Sequence, residues 1–232
     1  MTLMSQLAAL APADVAAVAF LLAGFWGLGW WIEHPGMARL SVTVLMAERN
    51  RAWMEQFVTR DPRIFDSQIV GSLRQGTAFF ASTNILAIGG VLALMGNVDP
   101  LQGLAAEVSD AQTPVVVWQI KLGLVALFLG NAFLKFVWAH RVFGYCSVLM
   151  AAVPNDPADP MARPRAAQAG ELNIRAAVNF NRGLRAMYFA LGALFWLAGP
   201  WALVGASLVV FWIVWSREFA SLPRKILLQK MP

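Results

Sequence analysis

WQIKLGLVALFLGNAFLKFVW, residues 118–138, sets Trp118 and Trp138 twenty positions apart with an almost wholly apolar stretch between them. A helix rises about 1.5 Å per residue, so the two indoles stand roughly 30 Å apart along its axis, the thickness of a bilayer's hydrocarbon core. Tryptophan favours the membrane interface, where an apolar ring and one N–H donor are both satisfied. The stretch therefore reads as a membrane span with an indole at each surface.

Composition extends that reading to the whole chain. A hydrophobic share of 59% with 13% charged residues is too apolar for a water-soluble domain of 232 residues. The net charge of +5 comes from basic residues dispersed beside apolar segments, which argues for membrane orientation rather than nucleic-acid binding. The single cysteine, Cys146, excludes an internal disulfide and any multi-cysteine metal or iron–sulfur site within one chain. Arginine outnumbers lysine fourteen to four, the bias of a GC-rich bacterial genome. The expected location is accordingly the bacterial inner (cytoplasmic) membrane.

Outward from the central span, residues 14–32 form a first span that ends in Trp30-Trp31 and is stopped by Pro35-Gly36. Val15 to Ile32 lies near the start, but no Lys or Arg precedes it and no small-x-small cleavage site follows, so a retained anchor is expected. Residues 37–59 carry Leu40, Val44, Leu45, Trp53 and Phe57 at helical spacing among charged residues, an amphipathic interfacial or cytoplasmic helix. Within it, Glu48 with Arg51 and Arg51 with Glu55 are spaced to pair along one helix. Asp61-Pro62 looks like the start of a helix that continues out of the bilayer as a stalk and then spans it at 76–96. The loop at 96–114 carries Asp99, Glu107 and Asp110 and no basic residue. Beyond Trp138 the central helix continues to about Met150 as a second stalk, and the proline-rich stretch 154–170 reads as a flexible connector.

Residues 184–215 are either one helix kinked at Gly199-Pro200 or two spans, 184–199 and 201–215, meeting there. Charge separates the two. A hairpin places seventeen of the eighteen basic residues on one side, leaving only Lys121 near the other, whereas a single helix sends the basic tail across. The expected architecture is all-α: a polytopic helical membrane bundle forming one domain over 1–232, with five spans, N-terminus outside, C-terminus inside, and cytoplasmic helix extensions. Its fourth span is short, about sixteen residues.

Three ordered segments resemble one family. Arg49-Asn50-Arg51-Ala52-Trp53, then Gln68 through Arg74-Gln75 into Phe79-Phe80-Ala81-Ser82-Thr83, and finally Arg182-Gly183-Leu184-Arg185-Ala186-Met187-Tyr188-Phe189 with Trp196 and Gly199-Pro200, are similar to the membrane family called domain of unknown function 599. The resemblance implies an all-helical membrane protein and supplies no activity, substrate or catalytic residue.

Among residues able to carry chemistry, His34 and His140 are the only histidines, and the topology puts both near the inner surface. Each reads first as an interfacial hydrogen-bonding residue; the alternative is axial ligation of a haem iron. No other cofactor and no metal site is expected. Asn84 and Asn131 fall within spans two and three, where an amide calls for an interhelical hydrogen bond. Lys121 and Lys135 sit about one turn inside a Trp marker, close enough to snorkel outward. The remaining polar residues concentrate at the inner surface. Of these, Arg74, Gln75, Arg141, Asn181, Arg182 and Arg185 suit an anionic headgroup or a partner, since guanidinium groups bind phosphate and carboxylate in bidentate fashion. No catalytic motif occurs. The first reading is a non-catalytic, partner-binding accessory subunit of a membrane complex; the alternatives, in order, are a small transporter or channel and a lipid-binding protein or membrane enzyme using the inner arginines. The expected partners are anionic lipids on the cytoplasmic side and other membrane proteins, with no nucleic acid.

Overall fold

The computed structural model describes residues 10–36, 39–99 and 114–229. All regular structure among them is helical. In chain order the helices are α1 (Pro12–Glu33), α2 (Val42–Phe57), α3 (Ile64–Gly96), α4 (Val115–Ala151), α5 (Ala162–Leu194), α6 (Pro200–Phe219) and α7 (Leu222–Leu228), with a 3-10 turn, Phe195–Ala198, between α5 and α6. The amphipathic helix begins at Val42, capped by the Ser41 hydroxyl, which accepts from the Val44 N–H. Its expected start at Met37 and most of the acidic 96–114 loop lie outside the described residues.

Four stretches among the described residues are long and apolar enough to cross a membrane: α1, α3, α4 and Pro200–Leu228. The chain thus has the helices of an integral membrane protein. α5 is not among the four, because Arg163, Arg165, Glu171, Arg175 and Arg182 lie along it. It also starts earlier than expected. Pro164 falls in its first turn, where a missing N–H costs no hydrogen bond, so the 154–170 connector is helical from Ala162 onward.

α5 and α6 form a reversal at Gly199-Pro200. The rings of Phe189 and Phe211 lie 5.7 Å apart, whereas twenty-two residues of continuous helix would separate them by roughly 33 Å. Gly199 makes the turn with φ 119°, a backbone region open to glycine and closed to other residues. The hairpin expected from charge is therefore present, and the kinked single helix is not.

Contacts divide the chain into two compact units. The first draws on 1–30, 83–132 and 184–215. Phenylalanines hold its helices together: Phe25 meets Phe128 edge-on at 5.2 Å and Phe189 at 5.0 Å, and Phe20 meets Phe211 at 5.1 Å. Gly24 admits the Phe211 ring, since a Cβ there would stand 1.9 Å from Cζ. At one end of this unit the Asp14 carboxylate accepts from the Trp196 indole N–H at 2.6 Å, with both residues buried. Lys121 is buried in the same place, its ammonium 5.4 Å from the Trp118 ring and 5.9 Å from the Trp196 ring. The sequence expectation fails here. Trp118 is not an exposed belt residue and its indole N–H is buried without an acceptor among the described residues; Lys121 does not snorkel but stays between the Trp118 and Trp196 rings, within reach of the Asp14 charge. Trp138, Trp201 and Trp212 do stand exposed.

The second unit draws on 31–82, 133–183 and 216–232. Its core gathers Met54, Phe57, Val58, Val70, Cys146, Met150 and Val153 against Ala162, Ala166 and Ala169. In the first half of α5 the buried Ala162, Ala166, Ala169, Asn173 and Ala176 follow a 4-3-4-3 spacing, and the alanines among them let neighbouring helices come close. Gly170 sits against Met54, and Gly183 against Phe136. Phe136 also joins Phe80 and Phe180 in a trio with centroids 5.5 Å apart.

Beyond Asp66 in its first turn, α3 buries only a narrow seam, Val70, Thr77, Asn84 and Val91, which Val98 continues just past the helix, one in every seven residues. Asn84 is fully buried there, and neither its Oδ1 nor its Nδ2 has a hydrogen-bond partner among the described residues. The interhelical bond expected of it is absent among the described residues. Asn131 is half-buried on α4.

Candidate functional site

On α3 and the residue before it, Arg63, Ser67, Gly71 and Arg74 follow one another at four, four and three residues, so they share one helical face. That face, with Ser147 and Met150 of α4 and Phe57 of α2, lines a cavity of about 370 Å³ within the second unit. Its size falls at the small end of ligand pockets. Val70, Ala151 and Asn155 complete the lining, which contains two guanidinium groups and no carboxylate.

The two arginines differ in what they have left to offer. Arg63 donates from Nη1 to the Val153 carbonyl at 2.8 Å and from Nη2 to the Pro154 carbonyl at 2.8 Å and the Val58 carbonyl at 3.2 Å. Its guanidinium also covers the Phe57 ring at 4.6 Å. Arg63 is thus a clamp on the ends of α2 and α4. Arg74 is half-buried, and its Nε–H is buried without an acceptor among the described residues. A buried charged donor left unmade costs on the order of 1–3 kcal/mol, so this guanidinium is not satisfied from within the described residues. The Arg74 main chain is held in place: its carbonyl accepts from the Thr77 hydroxyl at 2.7 Å and lies 3.2 Å from His140 Nδ1. Ser67 and Ser147, which also line the cavity, donate their hydroxyl hydrogens to the Ile64 and Phe143 carbonyls.

The other residues expected at an anionic site are placed elsewhere. Arg182 is committed to Glu33, to which both Nε and Nη2 donate, the first at 2.8 Å. That hydrogen bonding raises the guanidinium above its ordinary pKa against the opposing effect of burial. Arg141 is exposed and donates to the Tyr145 hydroxyl. Gln75 is exposed, Arg185 is buried, and the Asn181 amide reaches the Thr43 hydroxyl at 3.5 Å. Of the six, only Arg74 lines the pocket. His34 is exposed just past α1, while His140 serves the Arg74 carbonyl. No group of three or more metal-ligating side chains occurs among the described residues. Sequence reasoning missed Arg63, Ser67 and Ser147. The 63-67-71-74 spacing was a visible signal for the first two, but nothing local marks Ser147.

A family model described as protein of unknown function, DUF599, matches residues 16–223. The chain belongs to this family. The match runs from the second turn of α1 to the start of α7, so every residue of the pocket lies in the part shared with DUF599. Neither the curated proteins nor the solved structures compared with this DUF599 chain give a match.

Proposed function

We propose that this chain is a five-span, non-catalytic binding protein of the bacterial inner membrane, N-terminus outside and C-terminus inside, that takes up an anionic group at Arg74. The observation carrying this reading is Arg74, a half-buried guanidinium that lines a cavity with no carboxylate in its lining and whose Nε–H has no acceptor among the described residues. Of the three functions left open by the sequence, anion binding uses that donor directly. An accessory role in a larger complex is compatible with it, since a bound anionic lipid can also be shared with a neighbouring membrane protein. The anionic lipids of the cytoplasmic leaflet are the natural source of such a group. Neither haem nor metal is needed for the reading.

The test is native mass spectrometry of the full chain released from its membrane in mild detergent. The wild-type protein is expected to retain one phosphate- or carboxylate-bearing species. Arg74→Gln is expected to lose it, and Arg141→Gln, altered at an exposed residue outside the pocket, to keep it. Retention of the same species by Arg74→Gln rejects the reading.

A further inference from the structure

Building on the anion-binding reading of the Arg74 pocket, we infer that its ligand is a phosphate monoester with a short apolar stem. Two features select the phosphate. The Arg74 guanidinium, lining a cavity without a carboxylate, asks for a charged oxygen, which phosphate and carboxylate both supply. The Ser67 and Ser147 hydroxyls, however, spend their hydrogens on helix carbonyls, so towards a ligand they can only accept. A phosphate monoester near its second pKa of about 6 offers charged oxygens and, in its monoanion, a P–OH donor as well. An ionised carboxylate offers acceptors only.

The stem follows from the rest of the lining. Phe57, Val70, Met150 and Ala151 present apolar surface beside the arginine, and a cavity of about 370 Å³ has room for roughly a dozen waters, more than a bare phosphate fills. An inorganic phosphate leaves that wall facing water, whereas a few methylenes cover it. Gly71 lines the same cavity with open space where its Cβ would be, so a side chain added there occupies room the stem needs and disturbs no packed neighbour. The ester comes either from a lipid headgroup or from a soluble phosphorylated compound, and the two sources share this chemistry.

The experiment uses the full chain in zwitterionic nanodiscs, titrated with inorganic phosphate and with methyl, ethyl, butyl and hexyl phosphate. Affinity is expected to rise about fourfold for each methylene that enters the pocket, the factor for burying one CH₂, and to level off once the stem outgrows it. Arg74→Gln is expected to abolish binding of the whole series. Gly71→Leu, which places a better helix former at an open site, is expected to keep the wild-type melting temperature or exceed it while flattening the dependence on chain length. Competition by phosphatidic acid built into the discs supports the inference with a membrane source; an unchanged alkyl series without such competition supports it with a soluble source. Phosphate bound with no gain along the series overturns the stem and leaves the anion site standing. Equal affinity for alkyl carboxylates of matched length overturns the phosphate assignment. Absence of binding by phosphate, esters and carboxylates alike overturns both this inference and the function it rests on.

Discussion

Asp66 and Glu171 are both carboxylates that accept from an arginine, and their surroundings give the two pairs different weights. Glu171 meets Arg51 at 2.7 Å with both side chains about half exposed (51% and 53%), so solvent screens the pair. Asp66 is fully buried; its Oδ1 accepts from the Trp53 indole at 2.6 Å and from Arg60, while Oδ2 has no partner among the described residues. Arg51→Ala is expected to cost less than about 1 kcal/mol. Arg60→Ala leaves a buried charge with one donor fewer and is expected to cost about 1–3 kcal/mol. Unfolding midpoints of the two variants in one detergent check the ordering, and equal losses would sink it. At this scale the sequence was a poor guide. It paired Arg51 with Glu48 and Glu55 along its own helix, but the partner lies 120 residues away, where no local spacing points. It likewise counted Trp53 as an apolar position, although the indole N–H is spent on Asp66.

Helices were more legible, because apolar length, proline and glycine act locally. The reversal at Gly199-Pro200 followed from charge before any geometry was known, and Gly199 carries it with a φ of 119° and ψ of 170°. Elements whose packing depends on small side chains were harder to read. α5 buries alanines at 162, 166, 169 and 176, which add little to hydropathy, so its first half resembled a linker. The α3 seam was hidden because Thr77 and Asn84 occupy two of its four buried positions. One pair of substitutions separates turn from helix. Gly199→Ala forces a side chain into a region that glycine alone adopts freely and is expected to cost about 1–3 kcal/mol. Gly205→Ala lies inside α6 with open space around its Cβ and is expected to stabilise by up to about 1 kcal/mol. Melting midpoints of opposite sign bear this out; a loss at Gly205 matching that at Gly199 contradicts it.

Across the whole chain, charge and the division into units agree. Sixteen of the eighteen Lys and Arg residues fall within 31–82, 133–183 and 216–232, the stretches that make the second unit, and only Lys121 and Arg185 fall in the first. If basic residues stay cytoplasmic, the second unit belongs to the inner side and the Asn97 end of α3 to the outer. Three exposed positions test this in spheroplasts with a membrane-impermeant maleimide: Asn97 after α3, Ala158 between α4 and α5, and Gln229 after α7. The native Cys146 can remain, since it is fully buried with its thiol 3.3 Å from the Ala169 carbonyl oxygen. Five spans predict labelling of Asn97→Cys in intact spheroplasts, and of Ala158→Cys and Gln229→Cys only after permeabilisation. If the α5–α6 hairpin stayed on the inner side, Gln229→Cys would give the same result, so Trp201→Cys, at the exposed tip of the hairpin, decides between them. Labelling of Trp201→Cys from outside requires the chain to cross on both sides of Gly199; protection until permeabilisation denies α5 a crossing.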